Sequence, residues 1–264
     1  MSTFLFDEIV FGPVQSRRLG VSLGMNLLPV DCKYCNFDCI YCECGRNSPL
    51  SRIGTEEREQ MLPARKEIYT ALKRKLTAMQ RNGQLPDAIT FAGNGEPTIH
   101  PEFAEIIDDT VSLRNRYAPH TKISVLSNAT MLHRRKVVEA LKKTDLPILK
   151  LDSGMDTTIE LLNQPVKKLP IAMQIAQLLS FGGQCIIQTM FVQGTYNGQT
   201  VDNTTPEELD AWEQAILSIR PRLVMIYTLA RDTPTDTLRK VSGGILREIA
   251  ARIEKHGIPV QVSE

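Results

Sequence analysis

Three cysteines, Cys35, Cys39 and Cys42, lie within eight residues in the spacing C-x3-C-x2-C. Cysteine thiolates are the usual protein ligands of iron–sulfur clusters. Three clustered thiolates can bind three corners of a cubane and leave the fourth iron open to another ligand. An open metal position distinguishes a reactive site from a structural one. The triplet therefore predicts an iron–sulfur cluster with one reactive iron.

Other uses of the cysteines fit the spacing less well. Counting Cys32, the chain has two C-x2-C pairs only three residues apart, whereas zinc ribbons need a longer interval between the pairs. Ferredoxins use C-x2-C-x2-C-x3-C, which is a different order of spacings. An electron-transfer or structural iron–sulfur protein remains the alternative. We expect Cys32 and Cys44 to be free or buried thiols, and Cys185 to be a small core residue.

The composition is that of an ordinary globular protein. Hydrophobic residues make up 42% of the 264 residues, charged residues 23%, and the formal net charge is +1. This balance excludes a broad basic surface and hence strong non-specific binding to nucleic acids. The short basic runs 73–75 and 134–136 are expected to be solvated helix faces.

The cellular location is predicted from what the sequence lacks. Residues 1–10 contain no basic region followed by an apolar stretch, so no signal peptide is expected. No run of about 18 apolar residues is present, so no membrane span is expected either. We therefore predict a cytoplasmic protein, in which six cysteines are metal ligands or thiols rather than disulfides.

Short apolar runs alternate with longer segments of helical periodicity. The predicted strands are residues 21–28, 87–91, 123–126, 148–152, 185–191 and 223–229, with a short edge strand at 260–262. Two predicted helices begin at Pro63 and Pro101. Further predicted helices cover residues 132–143, 170–181 and 205–219, and a last one runs from Leu238 to Ile253. Thr205-Pro206-Glu207-Glu208 has the pattern of a capping box with proline at the first helical position.

Repeated βα units predict a parallel sheet. In the fourth predicted strand, Ile148, Lys150 and Asp152 share one face because side chains alternate along a strand. Charged groups near the carboxyl end of a strand fit a barrel whose mouth holds a polar ligand. We therefore predict one domain over residues 1–264, an incomplete (β/α)6 TIM-like barrel. The cysteine-rich loop after the first strand would cover its open end.

A second motif, Gly95-Glu96-Pro97, follows the second predicted strand. Together with C-x3-C-x2-C and the aromatic Tyr41, it resembles the motifs of the radical S-adenosylmethionine (SAM) enzymes. Asn94 stands where that family usually has the first glycine of Gly-Gly-Glu-Pro. The leader at residues 11–20 and the Gly95 element are similar to a poorly characterised radical SAM group related to tRNA wyosine-synthesis enzymes.

The resemblance implies a function and a set of ligands. Cys35, Cys39 and Cys42 would bind a [4Fe–4S] cluster, and Tyr41 would lie against the adenine of SAM. The backbone of the second motif would hold the SAM amino group; its residues are Asn94, Gly95, Glu96 and Pro97. Reduction would cleave SAM to methionine and a 5′-deoxyadenosyl radical, with an electron donor such as flavodoxin or ferredoxin. The substrate is left open among a tRNA, a peptide and a small molecule.

Polar residues near strand ends are further candidates for SAM contacts: Asn128, Lys150, Asp152 and Gln188. Lys150 would face the SAM carboxylate and Asp152 the ribose hydroxyls. The alternative for each is a hydrogen bond or ion pair inside the barrel. Arg17 and Arg18 are candidates for an anion, with a structural salt bridge as the alternative.

Overall fold

The computed structural model describes residues 4–16, 18–47, 61–231 and 233–264. Their strands are β1 (Val10–Ser16), β2 (Gly20–Met25), β3 (Ala88–Phe91), β4 (Lys122–Ser127), β5 (Leu146–Lys150), β6 (Ile186–Met190), β7 (Val192–Tyr196), β8 (Gln199–Asp202), β9 (Leu223–Tyr227), β10 (Leu238–Lys240) and β11 (Val260–Ser263). Their α-helices are α1 (Arg65–Arg81), α2 (Phe103–Tyr117), α3 (Arg135–Lys142), α4 (Asp156–Asn163), α5 (Ile171–Leu179), α6 (Pro206–Ile219) and α7 (Gly243–Glu254).

One curled sheet organises the fold, with the strand order β1-β2-β3-β4-β5-β6-β9-β11. From β2 to β11 every neighbouring pair is parallel, and only β1 is antiparallel to its neighbour. Helices connect the successive parallel strands, as parallel pairing requires. The predicted incomplete (β/α)6 barrel is confirmed, and the predicted edge strand is present as β11.

The two faces of β5 pack against different layers. Leu149 belongs to the large core between the sheet and the helices. Ile148 packs with Ile186 and Met225 in a small cluster on the inner face of the curl. Lys150 follows Ile148 by two residues, so it points inward at the mouth, as the alternation predicted.

The last predicted helix is wrong at its start. Leu238 lies in strand β10, which pairs with β7 in a separate antiparallel sheet of order β10-β7-β8. The helix begins only at Gly243, after Ser242, whose hydroxyl accepts a hydrogen bond from the Ile245 backbone N–H (3.3 Å). An N-capping serine of this kind ends the preceding strand segment and starts the helix.

Three further features were not predicted from the sequence: β1, α4 and the three-stranded sheet. β1 contains Gly12 and Pro13, which interrupt a strand pattern but are tolerated at a sheet edge. The helix after Thr205 is confirmed, since the Thr205 hydroxyl accepts a hydrogen bond from the Glu208 backbone N–H (3.4 Å). Among the described residues, no helix is long and apolar enough to cross a membrane.

Candidate functional site

The cysteine segment follows β2 and lies at the carboxyl ends of the parallel strands, the face where barrels of this type carry their sites. It is held from two sides by backbone hydrogen bonds. Tyr34 donates to the Asn94 carbonyl (2.7 Å), and its own carbonyl accepts from the Glu96 N–H (3.2 Å). On the other side, Ile40 donates to the carbonyl of Leu162 in α4 (2.9 Å). The loop after β3 and the end of α4 therefore fix the position of the triplet.

The three cysteines of the triplet line one cavity of about 300 Å³. Amide donors reach two of the sulfurs: the Asn128 side chain lies 3.6 Å from Cys35 Sγ, and the Asn163 side chain 3.4 Å from Cys39 Sγ. The Phe37 backbone N–H also donates to Cys35 Sγ (3.4 Å). Hydrogen bonds to sulfur are one of the means by which proteins tune iron–sulfur clusters. The environment of the triplet thus fits a cluster.

A single metal ion fits these side chains less well. In the described part of the chain, no three His, Cys, Asp or Glu side chains are close enough together to hold one ion. A structural zinc site needs four ligands about 2.0–2.3 Å from a common point. Each thiolate of a cubane binds a different iron, so its sulfurs do not have to converge.

Lys33 is a cation buried beside the triplet, and the sequence analysis did not identify it. Its ammonium donates to the Gly45 carbonyl (2.9 Å) and pairs with Asp38 (3.1 Å), and its side chain is 2% exposed. Burial acts to lower the pKa of Lys33, but the three thiols of the triplet and Asp38 raise it above its usual value. A positive charge is therefore held next to the thiolates. A single lysine carries no spacing signal by which the sequence could reveal this.

Cys44 lines the same cavity, whereas Cys32 is not among the lining residues. The Cys44 thiol lies 3.6 Å from the Gly93 carbonyl and beside Cys42. The neighbouring Cys44 thiol and the Lys33 charge lower the pKa of Cys42 to about 6, although burial opposes the shift. The thiolate is the form of cysteine that binds metals. Burial, by contrast, raises the pKa of Cys35 and Cys39, the other two thiols of the triplet.

Tyr41, Lys150 and Asp152 form a buried hydrogen-bonded group at the mouth of the barrel. The Tyr41 hydroxyl donates to Asp152, and the Lys150 ammonium lies 2.8 Å from the Tyr41 oxygen and 3.3 Å from Asp152 Oδ2. Asp152 is fully buried and also accepts from the Asn163 side chain (2.7 Å) and the Met190 backbone N–H (3.0 Å). Both oxygens of Asp152 are therefore engaged within the protein, while Tyr41 and Lys150 line the cavity.

Asp152→Asn is expected to lower the free energy of unfolding by about 3–5 kcal/mol, because it leaves the buried Lys150 charge without its carboxylate. Urea denaturation at neutral pH measures this change. The matched control is Asp108→Asn, which removes the partner of Lys143 from an exposed pair (side chains 54% and 50% exposed). The control is expected to change stability by less than about 0.5 kcal/mol. Equal effects of the two variants would contradict the assigned role of Asp152.

Glu96 joins the loop after β3 to the end of β4. Its carboxylate accepts from the Thr98 backbone N–H (3.0 Å), the Ser127 hydroxyl (2.9 Å) and the Asn128 backbone N–H (2.6 Å). Burial raises the pKa of Glu96, and these hydrogen bonds oppose the rise. The Glu96 side chain therefore orders two loops beside the cavity.

Gly95 lines the cavity, and having no side chain it presents only its backbone there. Its φ of +148° is in the region that only glycine adopts readily, and an added Cβ would overlap the Tyr34 carbonyl. The Asn94 side chain is fully buried and bonds to the backbone of Phe6 and Pro29 (2.8–2.9 Å). Pro97, also buried, begins a 3-10 turn. The Asn94 side chain therefore holds the N-terminal segment against the loop after β3.

The remaining predicted residues fall around the same opening. Asn128 and Gln188 line the cavity, as does Arg18, whose guanidinium lies 5.0 Å from the centre of the Tyr227 ring. Arg17 lies outside the described residues. The exposed basic run at residues 73–75 is on α1 and is not among the lining residues.

A family model and a sequence relative each match most of this chain. The model of the radical SAM superfamily matches residues 30–204. A UPF0026 protein of Helicobacter pylori (strain J99) is 34% identical over 190 residues, which are 70% of this chain and 57% of that protein. The chain thus spans little more than half the length of this relative.

Two solved structures share the fold at low identity. A radical SAM methyltransferase from Sphaerobacter thermophilus gives a TM-score of 0.65 at 14% identity, covering 92% of this chain and 65% of that chain. TYW1 with a bound lysine–pyruvate adduct gives 0.58 at 14% identity, covering 89% and 73%. With the family model matching well over half of its length, the chain belongs to the radical SAM superfamily.

Proposed function

We propose that this protein binds a [4Fe–4S] cluster through Cys35, Cys39 and Cys42 and cleaves SAM reductively beside it. When bound, the cluster would supply one electron to the sulfonium of SAM, which would give methionine and a 5′-deoxyadenosyl radical able to abstract hydrogen from a substrate. The observation that carries the proposal is the shared cavity: the triplet lines it together with the backbone of Gly95 and a largely buried lysine, Lys150 (side chain 15% exposed).

We assign SAM contacts according to the groups that each residue has available in the cavity. Gly95 and Glu96 offer backbone acceptors for the SAM ammonium, since a cation needs acceptors at close approach. Tyr41 lines the cavity with its ring buried, which suits a flat contact with adenine. Asn128, Gln188 and Lys150 supply polar groups, with the Lys150 charge meeting the SAM carboxylate.

Other predicted residues act through their neighbours in this proposal. Asp152 orients Tyr41 and Lys150, because its carboxylate bonds to both. Asn94 fastens the start of the chain to the loop after β3, and Pro97 fixes the turn that follows. A contact of Asp152 with the ribose hydroxyls would require it to exchange one of its internal hydrogen bonds.

The reaction needs a reductant and a substrate. We propose a flavodoxin or ferredoxin as electron donor and a cytoplasmic location, where such donors are found. The net charge of +1 argues against a large RNA-binding surface, although TYW1 is a wyosine-synthesis enzyme of the same fold. A second cavity of about 160 Å³ inside the barrel favours the small-molecule class.

A spectroscopic test distinguishes this function from an electron-transfer or structural cluster. The protein is reconstituted anaerobically with iron and sulfide, reduced with dithionite, and its EPR spectrum recorded with and without SAM. A site-differentiated iron that binds SAM changes the spectrum. A reducible cluster whose spectrum SAM leaves unchanged would support the electron-transfer or structural alternative.

Lys33→Met is expected to make the reduction potential of the cluster more negative by on the order of 100 mV, because it removes a buried positive charge that favours the added electron. An EPR-monitored redox titration measures the shift. Lys168→Met is the matched control, since Lys168 is 77% exposed and pairs with Glu160 at the surface. Identical potentials in the Lys33 variant and the wild type would refute the electrostatic role.

A further inference from the structure

A second cavity lies inside the barrel, below the one that the cysteines line. Its volume is about 160 Å³. Arg18, Leu126 and Gln188 line both cavities, so the inner one opens towards the cluster site. Among the described residues that line the inner cavity there is no aspartate or glutamate, and Arg18 supplies the charge.

Within the described part of the chain, Arg18 has no carboxylate partner, unlike Arg65 and Arg114. Its Nη1 is shielded from solvent and has no hydrogen-bond partner within the described part of the chain. By contrast, Arg65 pairs with Asp109 (2.7 Å) and Arg114 with Asp145 (2.9 Å). The contact that positions the Arg18 guanidinium is the face of the Tyr227 ring.

A guanidinium nitrogen that is shielded from solvent and has no acceptor is costly. Arginine stays protonated in proteins and has five N–H donors and no acceptor, so it cannot relieve the cost by losing its charge. Cation–π contact with a tyrosine compensates only in part. Buried polar atoms of native proteins almost always have a partner, and an orphan donor aimed into a cavity indicates a missing acceptor.

Further donors surround the same space. The Ser22 and Thr90 hydroxyls lie 2.7 Å apart and both line the inner cavity. One hydroxyl donates to the other, so the second keeps a proton that it can donate elsewhere. The Gln188 side chain adds an amide. The donors and the charge together match an anionic oxygen group, because planar guanidinium binds carboxylate and phosphate through paired hydrogen bonds.

We propose that the inner cavity binds the carboxylate or phosphate of a small-molecule substrate, with Arg18 as the principal contact. The inference rests on the proposed function for the step that follows binding. An engineered cavity of about 150 Å³ admits benzene, so this one has room for a small acid or the acidic end of a longer molecule. The rest of the substrate would extend through the shared opening towards the SAM site.

Equilibrium dialysis of the cluster-loaded protein, saturated with SAM, tests the proposal with labelled acetate in one arm and labelled inorganic phosphate in the other. SAM is included so that the probes cannot occupy the open iron. One anion per chain is expected for the wild type, and the arm that binds more tightly identifies the carboxylate or the phosphate class. Arg18→Gln is expected to weaken binding by about tenfold or more, and Arg18→Lys, which keeps the charge, by less.

Arg231→Gln is the matched control. Arg231 also lines the cavity that contains the cysteines, but it is 69% exposed and already paired with Glu43 (2.8 Å). Its variant is expected to bind the anion as the wild type does. Loss of binding in this control, or wild-type binding by Arg18→Gln, would overturn the proposal. If Arg18→Gln does not fold, the anion affinities of Arg18→Lys and Arg231→Gln are compared instead. Weaker binding by Arg18→Lys supports the proposal, and equal binding overturns it.

The outcomes separate this inference from the proposed function. A wild type that cleaves SAM but binds neither anion overturns the inner-cavity proposal alone. A protein that binds an anion through Arg18 but does not cleave SAM supports the anion site and contradicts the proposed radical chemistry. If Arg18→Gln weakens SAM binding instead, Arg18 belongs to the SAM carboxylate and the proposal is wrong.

Discussion

Alanine at any one of Cys35, Cys39 and Cys42 is expected to abolish cluster binding and with it all SAM cleavage. The three thiols line one cavity, and each would supply one of the three protein ligands. Two thiolates leave two irons of a cubane without protein ligands, so the cluster should not survive gel filtration. Iron and acid-labile sulfide analysis after anaerobic reconstitution measures the loss.

The control for this series is Cys32→Ser. Cys32 is three residues from Cys35 but is not among the residues that line the cavity. We expect full iron content and unchanged SAM cleavage in this variant. Four-iron content in any triplet variant, or a loss in Cys32→Ser equal to that of the triplet variants, would contradict the ligand assignment.

Gly95→Ala is expected to detach the cysteine segment from the barrel and to reduce cluster binding several-fold or more. The φ of +148° excludes a side chain without strain, and the new Cβ would overlap the Tyr34 carbonyl. The hydrogen bond between the Glu96 N–H and that carbonyl (3.2 Å) would break as the chains separate. Strain and the lost contacts together are expected to cost at least about 3 kcal/mol of stability.

Thermal unfolding and iron content measure the two effects of Gly95→Ala. Gly244→Ala is the matched control, because this helical glycine has open space at its Cβ, with Ser242 Oγ the nearest atom at 3.8 Å. Alanine there should leave cluster binding unchanged and stabilise α7 by up to about 1 kcal/mol. A Gly95→Ala protein with normal iron content and a normal melting temperature would show that the backbone approach is not required.

Features that depend on local spacing were predictable from the sequence. The cysteine triplet, the Gly95 motif and the order of βα units are all patterns within short windows, and the structure brings the first two to one cavity. The inward direction of Lys150 followed from alternation along β5 alone.

Features that depend on distant partners were not predictable. Lys33 belongs to the site only because the folded loop places its ammonium beside the triplet. Arg18 belongs to it only because the fold brings Tyr227 next to its guanidinium. The engagement of Asp152 by Tyr41 joins residues 111 positions apart. β1 was not predicted because glycine and proline interrupt its strand pattern. Leu238 was assigned to a helix because the spacing of apolar residues continues from it into α7.

The most direct test of the central claim is the formation of 5′-deoxyadenosine. The reconstituted protein is incubated anaerobically with dithionite and SAM, and the nucleoside is quantified by mass spectrometry beside Cys39→Ala. We predict 5′-deoxyadenosine in the wild type and none above background in the variant. No product from a wild type with a full, reducible cluster and an EPR spectrum that SAM leaves unchanged would contradict the claim that this chain is a SAM-cleaving enzyme.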